Sequence, residues 1–128
     1  MNYGLTLMMN ENPAVDVRYT PEFKRNLRAL VRKYQHIRSD VQPVIEEIQK
    51  GNFIGDQVPN TGYTIFKVRI KNSDITKGKK SGYRFIYYLK KHDEAILVTI
   101  YSKTDQADIT PTQIRRILKE YEIEISDN

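Results

Sequence analysis

The residues of this chain best suited to chemistry are basic, and they occupy alternate positions of short segments. Lys67 and Arg69 alternate with apolar residues, and Arg84 lies in a second segment of the same kind. Ammonium and guanidinium groups stabilise negative charge on a phosphate, and an arginine can hold a phosphate through two parallel hydrogen bonds. The pattern therefore indicates a surface that holds phosphate groups.

The positive charge is concentrated in one stretch, from Tyr63 to Lys91. It contains nine Lys or Arg and one acid, Asp74, whereas the whole chain has 21 basic and 16 acidic residues and a net charge of +5. The nine are Lys67, Arg69, Lys71, Lys77, Lys79, Lys80, Arg84, Lys90 and Lys91. A cationic sheet face that also carries aromatic residues is what a protein needs to hold a polyanion.

Three strands are predicted to position these side chains. Alternation over Thr64 to Lys71 predicts that Phe66, Val68 and Ile70 face one way and that Lys67, Arg69 and Lys71 face the other. Tyr83 to Leu89 alternates in the same manner, with Arg84, Ile86 and Tyr88 on one face. In Ala95 to Lys103, one face is predicted to carry Ile96, Val98 and Ile100, and the other to carry Leu97, Thr99, Tyr101 and Lys103. Because facing residues of adjacent strands lie about 5 Å apart, one patch is predicted from Lys67, Arg69, Arg84, Tyr101 and Lys103.

Helices are predicted on either side of these strands in the chain. After a short strand over Ala14 to Tyr19, Thr20-Pro21 is typical of an N-cap followed by a first helical residue. A second helix is predicted to begin at Ser39, with Gln42 completing a capping box and Gly51 ending the helix. Thr110-Pro111-Thr112-Gln113 predicts the start of a C-terminal helix. The fold class is therefore α+β in the order β-α-α-β-β-β-α, with a small antiparallel sheet packed against an N-terminal αα-hairpin.

Length and composition restrict the remaining possibilities. The 128 residues fit one domain, predicted over residues 14–125 after a flexible extension over residues 1–13. The chain has no cysteine, which excludes disulfides, cysteine-based zinc sites and a thiolate nucleophile. No signal peptide or membrane-spanning stretch is predicted, and a cytoplasmic protein without metal or cofactor is expected. His36 and His92 are predicted to be plain surface residues, and Asp105 and Asp108 to be loop or helix-entry residues.

The segment from Lys77 to Gly82 is rich in glycine and lysine. It lacks a glycine that a Walker A motif requires, and it leads into a strand rather than a helix, so a nucleotide-binding loop is not predicted. Two interpretations remain for Lys77, Lys79 and Lys80, and for Lys71 beside them. They form a solvated hairpin loop, or they contact RNA backbone.

The ordered combination of three segments resembles the RelE/ParE superfamily of toxins from type II toxin–antitoxin systems. The segments are Phe66-Lys-Val-Arg-Ile-Lys71, Ser81-Gly-Tyr-Arg-Phe-Ile-Tyr-Tyr88 and Ile100-Tyr-Ser-Lys-Thr-Asp-Gln106. The likeness is closest to the RelE-like and HigB-like mRNA interferases. It implies an endoribonuclease that cuts mRNA on the translating ribosome, and a cognate antitoxin protein that neutralises it.

Carried over residue by residue, the resemblance implies a catalytic group of Lys67, Arg69, Arg84 and Lys103. RelE has an arginine where this chain has Thr104, and its late tyrosine has no clear match. Metal-free cleavage by the ribose 2′-OH needs a base, charge stabilisation and a proton for the leaving oxygen. Crowded cations lower the pKa of a lysine, so Lys67 or Lys103 is the candidate base. Arg69 and Arg84 would brace the phosphate, and Tyr101 would transfer a proton or stack on a displaced base.

Two other functions fit the same sequence. One is a ParE-like inhibitor of DNA gyrase, and the other is a non-catalytic RNA-binding module. The basic strand face favours the nuclease, because a gyrase inhibitor has no need of a phosphate-bracing group there. The antitoxin is expected to cover the basic face or to displace the C-terminal helix predicted over residues 110–125, and the sequence does not choose between them.

Overall fold

The α+β class is confirmed by the computed structural model, which describes residues 13–75 and 82–126. The predicted element order is present, with one additional two-residue strand after the second helix. The elements are β1 (Asp16–Tyr19), α1 (Pro21–Lys33), α2 (Ile37–Gln49), β2 (Asp56–Gln57), β3 (Ile65–Ile70), β4 (Tyr83–Lys91), β5 (Glu94–Ser102) and α3 (Pro111–Ser126). All but one residue of the extension predicted over residues 1–13 lies outside the described part of the chain.

The five strands form one sheet in the order β1-β5-β4-β3-β2. The neighbours from β2 to β5 pair antiparallel, whereas β1 pairs parallel with β5. The hairpin between β4 and β5 turns through His92 and Asp93. The sheet is therefore an antiparallel meander to which the N-terminal strand adds a parallel edge.

Two of the three helix starts follow the predicted capping chemistry. The hydroxyl of Thr20 accepts the backbone N–H of Phe23 at 3.0 Å and begins α1. At α3, the Gln113 N–H donates to the Thr110 hydroxyl at 3.1 Å and the Thr110 N–H donates to the Gln113 side chain at 2.8 Å. Such a reciprocal box satisfies two of the N–H groups that a helix leaves unpaired at its start.

The predicted start of α2 at Ser39 is wrong, because the helix begins at Ile37. The Ser39 hydroxyl donates back to the carbonyl oxygen of His36 at 2.9 Å instead of accepting a helical N–H. Pro43 consequently lies inside the helix rather than in its first turn. It is exposed, so the carbonyl that would have bonded to its missing N–H can be hydrated. The end of the helix is as predicted, with Gly51 at a φ of 91° just beyond it.

Helices cover both sides of the sheet. The first two pack on the side of Val68, Phe85 and Tyr87. The third packs on the opposite side, where Ile114, Ile117 and Leu118 contact a cluster that includes Ile65 and Ile86. Ile65 and Lys67 are two residues apart on β3, and Arg84 and Ile86 are two residues apart on β4, so each pair faces the same side of the sheet. The third helix therefore covers part of the sheet side that carries the basic residues. The sequence pattern did not predict this placement.

A bulge interrupts the predicted alternation of β5. Ile86 pairs with Thr99, but Tyr87 pairs with Leu97, so Val98 is the extra residue. As a result Val98 and Ile100 pack on opposite sides of the sheet, with Ile100 beside Leu97. The prediction that Ile96, Val98 and Ile100 share one face is therefore wrong at Ile100. Strict alternation fails because the inserted residue reverses the facing of every residue after it.

Gly82 is expected to tolerate no side chain. A Cβ atom added there would overlap the carbonyl oxygen of Ile70 on the neighbouring strand, so Gly82→Ala should lower the free energy of unfolding by about 2 kcal/mol. Denaturant unfolding of the pure proteins measures this. Gly51→Ala is the control, because it meets nothing within 4 Å but has a positive φ, and should cost about 1 kcal/mol. A larger loss for Gly51→Ala would contradict the crowding of Gly82.

Candidate functional site

Three predicted site residues form one row across the three central strands, near the end of the sheet at which β4 begins. Arg69 on β3 lies opposite Arg84 on β4, and Arg84 lies opposite Tyr101 on β5. Lys67 lies two residues before Arg69 and faces the same side. Lys103 follows β5, and its backbone N–H donates to the carbonyl of Gly82 at 3.0 Å. We call these five residues the basic row.

Arg84 is the most unusual member of the basic row, because its side chain is charged and nearly buried. It is 6% exposed, and its Nη1 donates to the carbonyl oxygen of Tyr83 at 3.2 Å. Within residues 13–75 and 82–126, no carboxylate lies within ion-pairing distance of its guanidinium. A buried charge without a counter-ion is costly, so this position favours the binding of an anion.

Arg69 also favours the binding of an anion beside Arg84. It is solvent-exposed and directly opposite Arg84, at a spacing of about 5 Å between Cβ atoms. Two like charges at that spacing destabilise a sheet. A phosphate placed between two arginines would turn this repulsion into attraction and would accept several charge-assisted hydrogen bonds.

Tyr101 is held by its hydroxyl group and has almost no exposed ring surface. It is 3% exposed and packs in the cluster beneath α3. The hydroxyl accepts the backbone N–H of Ile109 at 3.1 Å and lies 3.4 Å from Oδ1 of Asp108. Burial raises the pKa of the phenol, so it stays protonated at neutral pH. Two roles were predicted for Tyr101. Its ring has no exposed face on which a base could stack, so the role left is that of the hydroxyl in proton transfer.

Asp108 contacts the basic row, although the sequence pattern predicted only a loop or helix-entry residue. Its Oδ1 lies 3.0 Å from the Nζ of Lys103 and also contacts Tyr101. The hydrogen bond from Lys103, and then the charges of Lys67 and Lys103, hold the pKa of this carboxyl below its usual value. Asp108 is two residues before the N-cap Thr110. Its position just before a helix predicts helix entry, and nothing in the local sequence indicates the contact with the sheet.

Of the predicted RNA-binding lysines, only Lys71 is in the part of the chain that the structure describes. Lys71 is exposed just after β3, whereas Lys77, Lys79 and Lys80 lie outside the described residues. The connection after β3 is anchored to α2. The carboxylate of Asp40 accepts both the N–H and the hydroxyl of Ser73 at 3.0 Å.

The two histidines lie away from the basic row. His36 is at the start of α2 and its ring contacts the carboxylate of Asp74, whereas His92 is in the β4–β5 turn, at the other end of β4 from Arg84. Over the described ranges, no group of three or more His, Asp or Glu side chains is arranged to hold a metal ion. In the same part of the chain, no helix has the length and apolar character needed to cross a bilayer.

A family model places the chain among known proteins. The model described as the RelE toxin of the RelE / RelB toxin–antitoxin system matches residues 22–124, a range that contains the whole basic row and Asp108. No curated protein sequence matches the chain significantly.

Proposed function

The chain belongs to the RelE toxin family and is the toxin of a toxin–antitoxin system; from this premise we propose that it is a ribosome-dependent mRNA endoribonuclease. The observation that carries the proposal is Arg84, a nearly buried guanidinium opposite Arg69 and without a carboxylate counter-ion in the described chain. An RNA phosphate is the anion that a translation-directed toxin would place between these two residues. The nuclease is thus the function that gives this nearly buried charge a ligand.

The basic row offers a group for each need of metal-free RNA cleavage. The 2′-oxygen forms a bond to phosphorus, the bond from phosphorus to the 5′-oxygen breaks, and a cyclic phosphate remains. One proton leaves the 2′-hydroxyl and one proton reaches the departing 5′-oxygen. Arg69 and Arg84 stabilise the charge that grows on the phosphate oxygens in between.

The ion pair of Lys103 separates the roles of the two candidate bases. Lys103 is paired with Asp108, so we assign its ammonium group as the donor of the proton to the 5′-oxygen. Lys67 is not within ion-pairing distance of any described carboxylate, and we assign it the removal of the 2′-hydroxyl proton. An acid and a base of matched protonation typically contribute about 10²–10⁴-fold each to such a reaction.

The partners follow from charge and family. The ribosome and its mRNA present polyanionic surfaces, to which a chain of net charge +5 is attracted. Lys71, Lys77, Lys79 and Lys80 are proposed to contact RNA backbone beside the site. The antitoxin is the second partner, and we propose that it covers the basic row with an acidic segment.

The test is cleavage of a defined mRNA on programmed ribosomes by the purified protein. New 5′ ends are mapped, and the chemical form of the upstream 3′ end is determined. The expected result is cutting within codons, with a 2′,3′-cyclic phosphate upstream and a 5′-hydroxyl downstream. Inhibition of gyrase supercoiling without mRNA cleavage, or RNA binding without cleavage, would overturn the proposal in favour of one of the other two functions.

A further inference from the structure

A carboxylate in the middle of a phosphate-binding surface needs an explanation. Asp108 lies against Lys103 at 3.0 Å and acts electrostatically on Lys67. It reduces the positive charge that the basic row offers to RNA and repels an approaching phosphate. If the site only bound RNA, an uncharged residue at this position would bind it more tightly.

We propose that Asp108 is a positioning residue that holds the ammonium of Lys103 beside the Tyr101 hydroxyl, at the cost of some RNA affinity. The inference rests on the proposed nuclease function and adds a residue to it. One oxygen, Oδ1, contacts both Lys103 and Tyr101. The same atom thus fixes the direction of the ammonium and ties it to a hydroxyl that is itself fixed by the Ile109 N–H.

The geometry explains why Lys103 needs such a partner. Lysine has a flexible stem with four carbons, and its ammonium group loses much rotational freedom when it is held in one place. Lys103 follows the end of β5, and its hydrogen bond to Gly82 holds the backbone but not the side chain. A carboxylate on the returning segment places the ammonium before the substrate arrives, in position to donate to the 5′-oxygen.

A purely structural role for Asp108 would predict different effects on RNA affinity and cleavage. The residue is close to the N-terminus of α3, where a negative charge stabilises a helix. Its side chain is 53% exposed, so loss of that charge would be a small effect on stability. If the role were only structural, loss of the Asp108 charge would change RNA affinity and cleavage rate in the same direction, or would change neither.

The experiment compares Asp108→Asn with wild type in two assays. Affinity is measured by fluorescence anisotropy with a 2′-O-methyl RNA oligonucleotide, which cannot be cut, and cleavage is measured in single turnover on programmed ribosomes. Affinity and cleavage rate are expected to change in opposite directions, with tighter binding and slower cleavage. The dissociation constant at low salt falls about fivefold, because a nearby repulsive charge is gone, while the cleavage rate falls about tenfold, because Lys103 is no longer held.

Asp105→Asn is the matched control, because it removes the same charge from the same segment. Asp105 pairs with Lys33 on α1 at 2.8 Å rather than with the basic row. It should leave the cleavage rate at the wild-type value. Asp108→Glu keeps the charge and should restore the wild-type affinity and part of the cleavage rate.

The outcomes separate the two proposals. If wild type cuts mRNA and Asp108→Asn cuts it equally fast, or if affinity and rate fall together, the positioning role is overturned and the nuclease stands. If wild type cuts no mRNA on ribosomes, the proposed function is overturned and the positioning role falls with it. Equal effects of Asp105→Asn and Asp108→Asn would also overturn the positioning role, because charge alone would then account for both.

Discussion

Arg84→Met is expected to lower mRNA cleavage about 10²–10³-fold while raising the free energy of unfolding by about 1 kcal/mol. Methionine reproduces the aliphatic stem of the nearly buried Arg84 side chain without its charge, so only the space of the guanidinium end is left unfilled. The cleavage rate falls because the phosphate loses a donor where its charge grows. Stability rises because a poorly solvated charge and its repulsion with Arg69 are both removed. Single-turnover cleavage and denaturant unfolding measure the two effects.

Lys90→Met is the matched control for that substitution. Lys90 is exposed near the other end of the same strand, so its replacement removes one positive charge from β4 without touching the basic row. It should change cleavage less than about twofold and stability by less than about 0.5 kcal/mol. A destabilised Arg84→Met protein would show that the guanidinium is structurally satisfied in the free toxin. Arg84→Met with full activity would remove Arg84 from the site.

Tyr101→Phe is expected to have the second largest effect, with cleavage reduced about tenfold to 100-fold and stability reduced by about 1–2 kcal/mol. The lost hydroxyl leaves the Ile109 N–H without its acceptor and Asp108 without one of its two contacts. The segment between β5 and α3 therefore loosens, and Lys103 and Asp108 with it. The same cleavage and unfolding measurements apply.

Tyr88→Phe provides the comparison for the tyrosine. Tyr88 is a half-buried residue that packs against the same cluster, away from the segment that carries Asp108. Its hydroxyl should be dispensable in both assays. If Tyr101→Phe and Tyr88→Phe behave alike, the Tyr101 hydroxyl has no special part in holding the site.

Local rules account for the parts of the fold that were predicted from sequence. The N-caps at Thr20 and Thr110 depend on a side chain and a backbone N–H three residues later, and such signals are visible in the chain itself. The facing of Lys67, Arg69 and Arg84 follows from alternation on β3 and β4. The row that they form with Tyr101 required the strands to be neighbours, which the structure shows.

The features that sequence did not predict all depend on contacts between distant residues. The start of α2 is set by packing, since Ile37 is fully buried and the hydroxyl of Ser39 turns back to His36. The bulge at Val98 has no local signature, because an extra apolar residue in an apolar strand looks like any other. Asp108 reaches the basic row only because the chain returns to the sheet before α3.

The parallel pairing of β1 with β5 also has a consequence for a chain that is still being synthesised. The Thr20 hydroxyl donates to the carbonyl of Val98, 78 residues later, and the basic row is complete only after Lys103. The apolar faces of α1 and α2 emerge first and have no sheet to cover until β3, β4 and β5 are made. A nascent toxin is thus without its phosphate-binding row for most of its synthesis, and chains that stop before β5 expose apolar surface that favours aggregation.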